Sequence, residues 1–401
     1  MSFDDNYDFA IIGAGITGST LALALSKLYK ELPQTPKILL LERHTQHAGQ
    51  TMDARALAIS LGALSRLDEL GVGDTFTSQG ESITTIHISD QGHLGRLELQ
   101  AFDFGFPYFG KVVLLPEVES ALWQKLSARQ EIVKLIRPCS VCEVRDSVDS
   151  KVIVTTTGEQ YRSKVIIIAE GGNSQLCHSL GVEYLKKEFE HSAIVTSLSF
   201  AHPDRGRAWE RFTSNGPLAI LPIAENWFSV VWCLDSKESS RLIKSSEIEF
   251  KSELQRAFGY RAGRIEDIGP RQLFPLHESI SKQQSIGSSV YLFGNATHML
   301  HPVAGQGFNL TVRDISLFVS TYAEKIMSSR FPLPIELGVD YNVSRQSDVK
   351  EISHYTSCLI STFSSSLYPV VAGRCSGLAL MARNRYLREK IVALGANVNF
   401  F

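Results

Sequence analysis

The chain has 401 residues, 44% of them apolar and 20% charged, which suits a globular protein of two domains or one elaborated domain. Its 40 basic residues face 42 acidic ones, a balance that lacks the basic footprint of nucleic-acid binding. Six scattered cysteines do not make a disulfide scaffold. The pair Cys139 and Cys142 has no second pair or matching histidines, so no metal site is expected.

The first residues, "MSFDDNYDFAIIGAG", are acidic and lack the basic start of a signal peptide. No run of about 18 apolar residues follows, so a cytoplasmic setting is expected. "YDFAIIGAGITGSTLALALSKLY" reads as a buried strand, a glycine turn and a helix, and "KILLLER" as the next strand. "DARALAISLGALSRLDELG" is predicted helical, closed by Gly71. "SITTIHISDQGHLGRLEL" reads as a hairpin around Asp90-Gln91-Gly92, and "LPEVESALWQKLSA" as a helix with Pro116 near its start.

"KVIVTTTGEQYRSKVIIIAEGG" gives two further strands, and "HSAIVTSLSFA", "RAWERFTSNGPLAILPI" and "WFSVVWCLD" alternate as sheet strands do. In "SSEIEFKSELQRAFG", Ser246 and Glu249 fit a capping box, and Phe250, Leu254, Ala257 and Phe258 share one helix face. "SSVYLFGNATH" returns to a buried strand, and the pattern is helical from about residue 331. Parallel-type strands near the start, middle and end, with antiparallel-type strands between them, predict an α/β domain interrupted by a second sheet.

Gly13, Gly15 and Gly18 form "GAGITG" between a strand and a helix, the context a dinucleotide fingerprint requires. The first glycine permits the tight turn, the second lets a pyrophosphate approach the backbone, and the third lets helix and strand pack closely. The helix N-terminus offers free N–H groups to the phosphates. Glu42 ends the second strand, where an acid binds ribose hydroxyls, and the "ELPQTP" insertion accounts for its distance from Gly18. A second glycine-rich stretch, "GNATHMLHPVAGQGFNLTVRD", begins at Gly294 and runs into a helix.

The segments "IIGAGITGSTLALAL", "DARALAIS", "RAWERFTSNGPLAILPI" and "GNATHMLHPVAGQGFNLTVRD" together resemble the single-component flavin-dependent aromatic hydroxylases with a para-hydroxybenzoate-hydroxylase-like fold. Within them the chain is most similar to the ubiquinone-biosynthesis hydroxylases, in particular the 2-polyprenyl-6-methoxyphenol hydroxylase group. The resemblance covers roughly residues 6–375. It implies a Rossmann-like FAD-binding domain (1–80, 111–181 and 285–330) interrupted by a mostly antiparallel substrate domain (81–110 and 182–284), with a helical C-terminal segment (331–401).

The resemblance further implies that FAD is held by Gly13, Gly15, Gly18, Glu42, Arg55, Gly294 and Asn295, with Gly305, Gln306, Gly307 and Asn309 at the flavin. Asn295 stands where most of the superfamily has Asp; its carbonyl still accepts from a hydroxyl, without the charge. In "AEGGNS", Glu170 replaces the family's Asp and Cys177 stands where many members have Arg, while Gly171 and Ser174 match. A helix N-terminus after "GQGFN" stabilises negative charge on the reduced ring, and Pro302 stiffens the loop beside it. His301 and His298 flank this loop; His301 beside Pro302 is the better proton-relay candidate, with a structural hydrogen bond as the alternative. Pro217, Leu218 and Ile220 are candidates for lining the substrate sheet.

The implied activity is hydroxylation of the phenolic ring of a polyprenylated ubiquinone precursor, through a flavin hydroperoxide formed with NAD(P)H and O2. No second fingerprint is present, so NAD(P)H is expected to bind only transiently. In "SGLALMARNRYLREKIVALG", Leu380, Leu387, Ile391 and Leu394 recur at near-helical spacing. Arg374, Arg383, Arg385, Arg388 and Lys390 accompany that segment and oppose one acid, Glu389. This fits either peripheral docking on the inner face of a membrane or on partner enzymes of ubiquinone biosynthesis, or a helix packed on the FAD domain with a solvated face. Two other functions stay open at this point: a flavin-dependent reductase on the same fold, and a non-catalytic flavin-bearing subunit of a biosynthetic assembly.

Overall fold

The computed structural model describes residues 6–28, 36–45, 55–93, 95–172, 174–328 and 338–398. Residues 31–35 of the "ELPQTP" insertion, Asp53 and Ala54 of "DARALAIS", and Asn173 lie outside the described residues.

The N-terminal strand Asn6–Ile12 sits at the centre of the first sheet because it is apolar on both faces. It pairs in parallel with Gln160–Ile168 on one side and Ile38–Leu41 on the other. Val133–Ile136 and Val290–Leu292 extend this sheet in parallel at either side, so strands far apart in sequence become neighbours. Helix Ile16–Leu28 covers one face and buries Leu21, Leu23 and Leu25 in a core shared with Phe293, Phe318 and Tyr322. Continuous apolar runs of this kind are what a doubly covered parallel sheet requires.

The second sheet is antiparallel apart from one pair. Its order is His298–Met299, Gln272–Ser281, Tyr184–Phe200, Trp227–Asp235, Gly216–Pro222, Arg207–Thr213, Thr85–Asp90 and Arg96–Gln100. Arg207–Thr213 and Thr85–Asp90 run parallel. One face packs on helix Glu247–Phe258, whose Phe250, Leu254, Ala257 and Phe258 are buried against Trp209, Phe228 and Trp232, as the sequence periodicity predicts. Ser246 caps that helix, accepting from Glu249 N at 3.2 Å. The other face is left for a cavity.

The segment "DARALAISLGALSRLDELG" is not helical throughout. Ala56–Ser60 is a strand, paired with Gly110–Leu114 in a small third sheet, and the helix begins only at Leu61. Ser60 is extended and its hydroxyl accepts from Ala63 N at 3.3 Å, so the helix starts at a serine cap that the apolar run conceals. Helices Gly338–Ser364, Tyr368–Arg383 and Arg385–Ala396 follow the predicted helical pattern. Arg374 is not part of a solvated basic face: its guanidinium turns inward to Asp90 at 2.7 Å and to the carbonyls of Thr362, Phe363 and Ser365.

Candidate active site

One cavity of about 1370 Å³ runs between the two sheets. Pockets for one small ligand hold roughly 300–1,000 Å³, so this space is large enough for a cofactor and a second molecule.

At one end the cavity meets the N-terminal turn. Gly13, Gly15, Ile16, Thr17, Glu42 and Arg55 line it. A Cβ at Gly15 would meet nothing closer than Glu119 Oε1 at 3.7 Å, so this glycine leaves its backbone open to a ligand. A Cβ at Gly18 would lie 1.9 Å from Gly13 O, so Gly18 permits helix and strand to pack and does not itself face the cavity. Glu42 is tied in place from both sides: Oε2 accepts from Ala14 N at 2.7 Å and Oε1 from His44 N at 2.9 Å. Two charge-assisted bonds of this kind fix a carboxylate at the strand end. Trp123 supports the turn by donating to Ala14 O at 2.8 Å.

Near the middle, the second glycine stretch faces the same cavity. Asn295, His301, Pro302, Gly305, Gln306, Gly307 and Asn309 line it. Gly307 has nothing within 4 Å of an added Cβ, and it lies in the first turn of helix Gln306–Ser328. The helix therefore presents its unsatisfied N–H groups to the cavity. Gly294 stands behind the lining at φ 61°, where a Cβ would press on Thr17 Oγ1 at 2.8 Å. It is the point at which this stretch closes on the first helix. Asn309 ties backbone to backbone: Nδ2 donates to Ala58 O at 3.1 Å and Gly305 O at 2.9 Å, and Oδ1 accepts from Ser60 N at 3.0 Å.

The two histidines separate. His298 is buried with Nε2 2.6 Å from Asp314 Oδ2, and Asp314 Oδ1 accepts from Arg345 Nε at 2.6 Å. His298 thus belongs to a sealed network joining three elements and does not line the cavity. His301 lines it; its Nδ1 accepts from Val303 N at 3.2 Å, and Phe189 packs edge-on at 5.2 Å. Burial, then the charges of His191 and Lys187, bring its pKa down to about 4. The ring is therefore neutral near pH 7, with Nε2 as its donor.

At the far end the cavity becomes apolar. Ile86, Leu97, Leu99, Leu378, Met381 and Ile391 line this arm, between the hairpin and the C-terminal helices. The expected substrate residues need correction. Leu218 and Ile220 are fully buried on the opposite face of the sheet, packed in the core with helix Glu247–Phe258. The alternation of the strand turns Ala219 and Leu221 to the cavity instead, and Pro217 shares their face but stands outside the lining.

Glu170 lines the cavity beside the first glycine turn, and the Ser174 hydroxyl donates to its carboxylate while capping the short helix Gln175–Ser179. Cys177 is buried away from the cavity. Among the lining residues that sequence reasoning missed are two that carry ionisable groups, Glu210 and Tyr355. The signal for Glu210 was an acid between Ala208 and Phe212 on one face of a strand, a polar residue in an apolar stripe.

A glycine turn feeding a helix, an anchored acid after the second strand and a second helix pointing at the same space define a dinucleotide-cofactor protein of the flavoprotein type. The chain belongs to the FAD binding domain family, whose model matches residues 6–329. The open backbone at Gly15 and Gly307 and the fixed acid at Glu42 fit that cofactor.

The chain is 27% identical to ubiquinone hydroxylase UbiL of Rhodospirillum rubrum over 391 residues, covering 95% of this chain and 87% of that one. It is 25% identical to 3-demethoxyubiquinol 3-hydroxylase of Escherichia coli, covering 97% and 98%, and 24% identical to the human mitochondrial ubiquinone biosynthesis monooxygenase COQ6, covering 98% and 93%. Its fold matches p-nitrophenol 4-monooxygenase PnpA of Pseudomonas putida with a TM-score of 0.79 at 15% identity, over 99% and 100% of the two chains. Klebsiella pneumoniae HpxO, solved with FAD and uric acid, shares the fold with a TM-score of 0.73 at 14% identity, over 97% and 96%.

Proposed function

We propose that this protein is an FAD-dependent monooxygenase that hydroxylates the ring of a phenolic ubiquinone precursor, with NAD(P)H as transient reductant and O2 as the oxygen source. The observation that carries this reading is the single continuous cavity from Gly15 and Glu42, past Gly307, to the antiparallel sheet. The relatives named above, similar over nearly their whole lengths, support the reaction class.

Bound FAD supplies the redox and oxygen-transfer chemistry. In this reading Gly13, Gly15 and Glu42 would hold its ADP half, and the N-terminus of helix Gln306–Ser328 would favour negative charge on the flavin. Arg55 and Asn295 also line the cavity and would add to the cofactor's contacts. The second sheet holds the phenol ring, and the apolar lining excludes water from the reacting atoms. The FAD-binding part is proposed to comprise 1–80, 111–181 and 285–330, and the substrate part 81–110 and 182–284.

The apolar arm favours a polyprenylated substrate, because its six named side chains offer no hydrogen-bond partner to a polar group and suit a hydrocarbon chain. Next to that arm, the C-terminal helices expose Tyr368 at 83%, Leu380 at 57% and Tyr386 at 59%. This surface supports peripheral contact with a membrane that stores such a substrate. Among the described residues no helix is long and apolar enough to cross a membrane.

The test is reconstitution with FAD, followed by NADPH oxidation with and without a short-chain prenylated 2-methoxyphenol. The reading expects phenol-stimulated NADPH oxidation, oxygen consumption and a hydroxylated product. Flavin binding without phenol-stimulated turnover would favour a non-catalytic subunit, and turnover without oxygen would favour a reductase.

A further inference from the structure

Glu210 stands in the middle of the strand Arg207–Thr213, on the face that meets the cavity. The sheet register places it in a row of five residues: Ile88 and Ala219 flank it, Val231 follows Ala219, and Val195 follows Val231. All five line the cavity, and Glu210 is the one ionisable group among them. Its Oε1 is sealed from solvent and has no hydrogen-bond partner among the described residues.

An acid without a partner in an apolar wall is costly, because a buried polar group left unpaired forfeits the hydrogen bonds that water gave it. Among the described residues no arginine or lysine pairs with it. The neighbouring Arg211 turns to the opposite side, donating to Ala257 O at 2.8 Å and Ser89 Oγ at 3.2 Å. Among the described residues, the titratable groups that feel the charge of Glu210 are Cys233, on the next strand but one, Trp227–Asp235, and Tyr355, on helix Gly338–Ser364. Neither offers a positive charge. What completes this carboxylate must come from the cavity.

We propose that Glu210 is a catalytic base, accepting the proton from the ring hydroxyl of the bound phenol. This rests on the reading of the protein as a phenol hydroxylase. In the step, the phenolic O–H bond breaks, its electron pair stays on the ring oxygen, and the proton passes to the Glu210 carboxylate. Nothing is oxidised or reduced. The resulting phenolate makes the ring richer in electrons, which an electrophilic oxygen transfer requires. Burial alone pushes the Glu210 pKa up to about 7, which lies between an ordinary carboxylate and a phenol and suits a base working near neutrality. The strain of the unpaired acid is relieved when a hydroxyl donor enters, so the same residue also selects ring substrates that carry one.

The test uses the FAD-loaded full chain and the same short-chain prenylated 2-methoxyphenol, with Glu210→Gln and Glu210→Asp beside the unaltered protein. Hydroxylation rates are read across pH, with bound-flavin absorbance as the control for folding. The proposal expects the kcat/KM of the unaltered enzyme to rise with pH through an apparent pKa near 7. Glu210→Gln should lose about 10²-fold in kcat at neutral pH. Its deficit should shrink as pH approaches about 10, where a free phenol ionises unaided. Glu210→Asp, which keeps a carboxylate, should recover part of the rate.

A Gln variant with the rate and pH profile of the unaltered enzyme overturns the proposal. If that variant does not retain FAD, a flat kcat/KM in the unaltered enzyme over roughly pH 5–9 overturns it instead. An FAD-loaded unaltered enzyme that never hydroxylates the phenol, at any pH, overturns the hydroxylase reading and this inference with it.

Discussion

Asn309 holds Ala58 across 251 residues of chain: its Nδ2 donates to the Ala58 carbonyl at 3.1 Å while its Oδ1 accepts from the amide of Ser60 two residues on. This side chain was expected to touch the cofactor. It does line the cavity, but both ends of its amide are spent joining the strand Ala56–Ser60 to the first turn of helix Gln306–Ser328. Two walls of the cavity are thereby set at one fixed distance.

Replacing Asn309 with Ala should strand Ser60 N and the Ala58 carbonyl, at about 1–3 kcal/mol for each buried group left unpaired. Asn309→Asp should be little better, because a carboxylate cannot donate to Ala58 O or Gly305 O. Both variants are expected to melt several degrees lower and to bind FAD more weakly, read by thermal melting and flavin fluorescence titration.

The glycines of the first turn should separate by role. Gly18→Ala would force a Cβ to 1.9 Å from Gly13 O and should prevent normal folding, seen as loss of soluble protein or of cooperative melting. Gly15→Ala meets nothing closer than Glu119 Oε1 at 3.7 Å, an ordinary contact, and should fold normally. It should nevertheless lose FAD affinity, because the added methyl group occupies the approach to the backbone.

Much of this arrangement was legible in the sequence. The strand, glycine turn and helix at Gly13–Gly18 follow one another directly, so local pattern was enough. The residues facing the antiparallel sheet were not, because "GPLAILPI" is apolar at nearly every position and its two faces look alike. Both are buried, one by helix Glu247–Phe258 and one by the cavity wall, so composition could not separate Leu218 and Ile220 from Ala219 and Leu221. The strand at Ala56–Ser60 was hidden for another reason: its partner Gly110–Leu114 is some fifty residues away, and the adjacent helical periodicity of Leu61–Glu69 ran over it.

His301 should contribute little to the pH dependence of the reaction between pH 5 and 8, since its pKa of about 4 leaves it neutral throughout that range. His301→Asn is expected to leave the shape of the kcat/KM profile unchanged. For stability the sign is opposite to that of an ion-paired histidine. A depressed pKa makes the neutral form native, so stability is complete above about pH 6.5 and falls as pH drops toward 4. His301→Asn should remove that part of the acid sensitivity, measurable as a smaller change in melting temperature between pH 7 and pH 4.5.

Glu210 should act on stability in the other direction. Its folded pKa of about 7 exceeds its ordinary value of 4.5, so its contribution is complete below about pH 4.5 and is lost as pH rises through 7. Without substrate, Glu210→Gln is therefore expected to stabilise the protein at pH 8, on the order of 1–3 kcal/mol, and to make little difference near pH 4.5. Melting curves at the two pH values check this.

The most direct measurement of the central claim is the fate of isotopically labelled dioxygen during turnover of the FAD-loaded protein with NADPH and a short-chain prenylated 2-methoxyphenol. A cavity that holds FAD at Gly15 and Gly307 and a phenol ring against the facing sheet should place one labelled oxygen atom on the ring of the product. A protein that binds FAD and oxidises NADPH yet returns the phenol without the label contradicts the account.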